Sequence, residues 1–112
     1  MMSDLPENFL RGVALFNAGK FFECHEAWEM IWLNSDGKER EFLHAMIQAA
    51  AALHHLQGGN LKGARSVAGR AIEKLGHCPA MMMRLDVRAF RLALDQFLTG
   101  VDAPPPHIEL KP

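Results

Sequence analysis

Any chemistry in this 112-residue chain has to come from a few polar residues placed where helical periodicity calls for apolar ones. The first group is the run Glu23-Cys24-His25-Glu26-Ala27-Trp28-Glu29. On a helical wheel His25 falls about 60° from the centre of the apolar stripe, and Glu29 lies one turn on, about 100° from it. Spacing of i, i+4 lets an imidazole and a carboxylate meet on one face. A carboxylate so placed can orient a histidine as a general base, and the two groups can also share a metal. The simpler alternative is a boundary histidine, hydrogen-bonded to its own helix neighbour and held in one tautomer.

A second group lies further on, where His44, Gln48 and His55 repeat in steps of four and seven opposite the main apolar face of a long helix. If the preceding helix packs on that side, His25 and Glu29 face Gln48 and His55 across a groove. The four would then form a polar pocket inside a mostly apolar bundle. If it packs elsewhere, the stripe is a solvent face. His25, Glu29, Gln48 and His55 are thus the candidate catalytic or ligand residues, and His25, Glu29 and His55 the candidate set for a single divalent metal. His54 points toward the second apolar flank and reads as a packing residue.

Other patterns carry less. Glu41-Phe42-Leu43-His44 spells the Glu-x-x-His of di-iron bundles, but such sites need two copies and two further carboxylates, and the chain has one copy. His25-Glu26-x-x-Glu29 differs from the zinc motif His-Glu-x-x-His by a carboxylate in place of the second histidine. Cys24 and His25 diverge by about 100° on a helix, which argues against a nucleophile pair. Met81-Met82-Met83 reads as a lid on the core beside a helix start. No glycine-rich phosphate loop occurs.

Five helices must position these residues. The first spans about 5–18, with Asp4 as cap, Pro6 in the first turn, and Phe9, Val13 and Phe16 inward. The second, about 21–33, gathers Phe21, Cys24, Trp28, Ile31 and Trp32 on one stripe. The third, about 39–57, is apolar over more than half its circumference, from Phe42 and Ala45 to Leu53 and Leu56, and is therefore central. Asn60 caps a fourth helix at about 61–75, and Asp86 a fifth at about 87–98. The stretch between them, HCPAMMM, reads as an irregular link, and no alternating strand pattern appears. The fold class is all-α. Residues 1–4 read as a disordered start, 5–100 as one domain, and 101–112 as an extended proline-rich tail.

One internal repeat is visible. Gly19, Phe21, Cys24, Trp28 and Ile31 correspond to Gly59, Leu61, Ala64, Ala68 and Ala71, each offset by forty positions. In both, a glycine ends one helix and the next opens on apolar, small, then core residues, the grammar of tetratricopeptide-like hairpins. That pattern supports the alternative function: a helical interaction module, in which the polar cluster is structural.

Composition narrows the partners. Twelve basic and thirteen acidic residues, well mixed, give a net charge of -1. That balance argues against a phosphate grip on nucleic acid or an anionic membrane surface. A homo-oligomer or a protein partner stays open. Two cysteines, Cys24 and Cys78, and a start without a basic, apolar export signal point to the cytoplasm.

The runs FNAGKFFECHEAWEMIW and REFLHAMIQAAAALHHLQGGNLKGA resemble the domain of unknown function 309 family over roughly residues 8 to 98. Its Asn-x-Gly turn and Glu-x-His-Glu-x-x-Glu-x-x-Trp helix are matched by Asn17, Gly19, Glu23, His25, Glu26, Glu29 and Trp32. Its Ile-Gln-x-Ala helix and Gly-Asn-x-x-Gly-Ala turn are matched by Ile47, Gln48, Ala50, His55, Gly59, Asn60, Gly63 and Ala64. The resemblance implies a compact helical bundle, cytoplasmic residence and no assigned reaction. Ala45 stands where the family usually has glycine, and His44 where it tends to have another polar residue. His25, Glu29, Gln48 and His55 carry over.

Overall fold

The computed structural model describes residues 4–100 and 102–112. The expected disordered start at 1–4 therefore lies outside the described residues except for Asp4. Five helices follow in order: α1 (Glu7–Asn17), α2 (Phe21–Trp32), α3 (Gly37–Gln57), α4 (Leu61–Gly76) and α5 (Val87–Leu98). The all-α reading holds, with one addition. A two-stranded antiparallel ladder, β1 (Met81–Met82) and β2 (Leu85–Asp86), interrupts the expected irregular link. Its turn residues Met83 and Arg84 both have positive φ, 47° and 63°. Such turns favour Asn-Gly, so neither residue announced this one. Tertiary bonds hold it instead: Arg84 pairs with Asp4 at 2.6 Å, and its carbonyl accepts from the Lys111 N–H at 2.7 Å.

The start of α1 also differs from expectation. Asp4 does not cap it, because Leu5, the residue before Pro6, is turned away from the helical region, so α1 begins after Pro6 without a side-chain cap. The other two expected caps are present. Asn60 Oδ1 accepts from the Gly63 N–H at 2.9 Å, and Asp86 Oδ1 from the Ala89 N–H at 3.0 Å.

The forty-residue repeat is a repeat of backbone geometry. Gly19 and Gly59 have φ of 76° and 80°, a left-handed conformation cheap for glycine. The Lys20 N–H donates to Leu15 O and the Asn60 N–H to His55 O, both at 2.9 Å. Gly19 and Gly59 donate to Phe16 O and Leu56 O, both at 3.0 Å. This pair of bonds is the Schellman ending. Lys20 and Asn60 then open the next helix at nearly the same dihedrals, φ -93°, ψ 69° and φ -91°, ψ 77°. Hairpins α1–α2 and α3–α4 thus share one turn.

Aromatic residues close the core between α1 and its neighbours. Trp28 is fully buried, stacked between Phe9 and Phe16 at centroid distances of 6.1 and 5.9 Å. Its indole N–H donates to Phe9 O at 3.2 Å. The indole reaches that carbonyl because Gly12 leaves the α1 surface bare between the two phenyl rings; a methyl group there would run into it. Phe42, Leu43, Ala45, Met46, Ile47, Ala49, Ala50, Ala52 and Leu53 are all buried on α3, as expected of a central helix.

The tail is extended, yet it belongs to the core. Ile108 is buried and clamped by Asn17, whose amide donates to Ile108 O at 2.9 Å and accepts from its N–H at 2.8 Å.

Candidate functional site

A short loop makes α2 and α3 antiparallel, and two ring contacts fix their register. Phe22 meets His54 at 5.6 Å and Trp32 meets His44 at 5.5 Å, an equal span on each helix. Counting inward from these ends puts His25 level with Ala51, Glu29 level with Ile47, and Gln48 one residue from Glu29. On α2 the positions 22, 25, 29 and 32 form one stripe, as 44, 48, 51 and 55 do on α3. Trp32 thus reaches the polar stripe while Phe22 reaches the adjoining apolar flank, so α2 packs along the border between the two and residues 44, 48, 51 and 55 stay half-buried beside the seam.

Within that seam His25 Nδ1 lies 3.5 Å from Glu29 Oε2. The separation is ion-pair range, but the ring N–H and the carboxylate are not aligned as a hydrogen bond, so His25 Nδ1 counts as unpartnered. The pair is half-buried, with side chains 33% and 46% exposed. Among the described residues, three buried side-chain polar atoms lack a hydrogen-bond partner: His25 Nδ1, Trp32 Nε1 and Gln48 Oε1. Two of the three lie on one stripe of α2 and the third on the polar stripe of α3 that borders it.

His55 is set apart. It lies seven residues from Gln48, roughly 10 Å along the helix axis, and its Nδ1 is 3.4 Å from the Asn60 side-chain amide. It braces the α3–α4 turn. Among the described residues no group of three or more His, Cys, Asp or Glu side chains is close enough to hold a metal ion. His25, Glu29 and His55 are thus not gathered as a ligand set in this conformation, and neither are Glu41 and His44 with a third ligand.

The seam is closed at each end by an aromatic pair, and its two ends differ. Trp32 is sandwiched between His44 and Arg40, whose guanidinium lies 4.0 Å from the indole centroid. Arg40 also donates to Trp32 O at 2.9 Å and Ser35 O at 3.2 Å, tying down the α2–α3 loop. Burial first, then the charges of Lys74 and Arg40, push the His44 pKa below its ordinary value, which favours a neutral ring. His44 also borders a cleft of about 240 Å³ with Glu41, Lys74 and His77. At the other end His54 is exposed, its ring against Phe22, and not the packing residue its position suggested.

The sequence pointed to His25, Glu29 and Gln48, and its periodicity makes Trp28 and Trp32 core residues whose indole N–H can reach the polar cluster. Trp32 follows His25 by seven residues and so shares its stripe, whereas the Trp28 N–H is taken by Phe9 O. Five clefts open elsewhere on the molecule, and none of these five is lined by His25, Glu29 or Gln48. Cys24 is no nucleophile, since burial pushes its thiol far above the usual range. Among the described residues, no helix is long and apolar enough to cross a membrane.

The same architecture is found in a conserved hypothetical protein of Thermus thermophilus, whose crystal structure superposes with a TM-score of 0.73. The two are 30% identical, and the match covers 89% of this chain and 100% of that one. An uncharacterized protein of Aquifex aeolicus is 27% identical over 84 residues, 74% of this chain. This chain spans 25% of that relative's length. The family described as Domain of unknown function (DUF309) matches residues 9–67, which contain α2, α3 and the whole seam. The chain belongs to that family.

Proposed function

We propose that the α2–α3 seam binds a small polar ligand, with His25 and Glu29 at its accessible end and Gln48 and Trp32 at its buried end. The observation that carries this reading is the coincidence of the three unpartnered polar atoms on one seam. Each buried donor or acceptor left without a bond costs about 1–3 kcal/mol. A purely structural seam would be more stable with apolar residues there.

The atoms also constrain the ligand. An indole N–H only donates and an amide oxygen only accepts. A complement to Trp32 Nε1 and Gln48 Oε1 must therefore offer one acceptor and one donor, as an amide or an alcohol does. The half-exposed His25 and Glu29 swing aside to admit it. A cytoplasmic setting goes with this reading, since both cysteines are free thiols.

Native mass spectrometry of tag-free, gently purified protein tests it, with elemental mass spectrometry on the same sample and on His25→Ala. The expected result is a small-molecule mass on the wild type that the variant lacks, with no metal on either. Two equally bare proteins would overturn it. A second reading, a helical interaction module, is favoured by the duplicated hairpin and by Phe22, Met30 and Leu33, which are more than half exposed along α2 and its end.

A further inference from the structure

The two equivalent hairpins place α2 and α4 in matching positions, and their outward residues have opposite character. On α2 the exposed Phe22, Glu23, Glu26 and Met30, with the half-buried Glu29, form an acidic and apolar surface. Leu33 extends it past the helix end. On the corresponding face forty residues on, α4 exposes Lys62, Arg65 and Arg70. Glu23, Glu26 and Glu29 are the only charged residues of α2, whereas α4 has Lys62, Arg65, Arg70 and Lys74 against the single acid Glu73. Among the described residues, none of Glu23, Glu26, Lys62, Arg65 and Arg70 forms an ion pair within the chain.

We infer that the outward face of α2 is a docking surface for α4 of a second copy of this chain. The argument rests on charge complementarity between two faces of one molecule, each unpaired within it. It names the partner for the interaction-module reading; Phe22 and Glu29 border both this face and the polar seam, whereas Glu26 and Arg65 lie outside the seam. The long stems of Lys62, Arg65 and Arg70 lie over Phe22 and Met30 while their charged ends meet Glu23 and Glu26. A single helix face against another falls short of the roughly 1,200 Å² at which stable interfaces begin. The association is therefore weak and salt-sensitive.

Sedimentation equilibrium of the full chain tests this directly, using wild type, Glu26→Lys, Arg65→Glu and an equimolar mixture of the two variants. Wild type is expected to gain mass with concentration in about 50 mM salt and to return to monomer near 500 mM. Each single variant opposes like charges and stays monomeric. The mixture restores opposite charges in both pairings and regains the wild-type mass. Both positions are exposed, so circular dichroism should show unchanged folding. A wild type that stays monomeric at every concentration overturns the inference. So does association that both single variants retain, although that outcome leaves an interaction module on some other face.

Discussion

Replacing Gln48 with methionine should stabilise this protein. Gln48 lies one residue from the level of Glu29 on the α2–α3 seam, and its Oε1 is buried with no partner among the described residues. Methionine keeps the unbranched shape and removes the polar atoms. Relief of an unsatisfied buried acceptor is worth about 1–3 kcal/mol. Gln48 is only half-buried, so the lower end, about 1 kcal/mol, is expected. In a domain of this size that corresponds to a rise of about 4 °C in Tm. The assay is urea denaturation of protein refolded from denaturant, which removes any co-purified ligand. The midpoint should rise with the slope unchanged. Gln57→Met is the matched control, because the Gln57 amide already donates to Gly19 O at 2.8 Å. That variant should lose about 0.5–1 kcal/mol. If Gln48→Met loses stability as Gln57→Met does, Gln48 is satisfied by the fold and the reasoning fails.

Three other outcomes follow from the packing and the titrating groups. Gly12→Ala forces a methyl into the Trp28 indole and breaks its bond to Phe9 O; a loss of about 1–3 kcal/mol is expected in urea denaturation. Asn17→Ala removes both bonds to Ile108, so limited proteolysis should cut the 102–112 segment far faster, with about 1–2 kcal/mol of stability lost. His44 is held below its ordinary pKa by burial and by Lys74 and Arg40, so the unfolded chain binds its proton more readily. Stability should fall as pH drops below about 6.5. His44→Gln should flatten that part of the profile in thermal melts taken between about pH 7 and 5.

Helix boundaries were legible to within two residues because the signals were local: Gly19 and Gly59 as left-handed stops, Asn60 and Asp86 as caps. What depended on distant contacts was not. The Met83-Arg84 turn takes its shape from Asp4 and Lys111, at the two ends of the described chain. The tail shows one apolar residue, Ile108, after its prolines and histidine, and only the Asn17 side chain explains why that residue is buried. Of the four candidate site residues, His25 and Glu29 pair on α2, and Gln48 borders the same seam at nearly the level of Glu29 because the two helices run antiparallel. His55 kept the spacing but stands two turns away, beside Asn60. Both tryptophans read as core residues with an N–H able to reach the polar cluster, and only the tertiary contact of Trp28 with Phe9 O tells them apart.

The two tryptophans give the central claim its most direct measurement. Trp28 donates to Phe9 O, whereas the Trp32 indole has no partner among the described residues, so two-dimensional proton–nitrogen NMR supplies a sensor and an internal reference. The spectrum would be recorded during titration with a panel of small amides and alcohols. A binding site at the seam predicts a compound that moves the Trp32 indole signal and the His25 ring signals, leaves Trp28 in place, and loses its effect in Gln48→Met. A Trp32 signal that no member of the panel moves, or that moves equally in Gln48→Met, would contradict it.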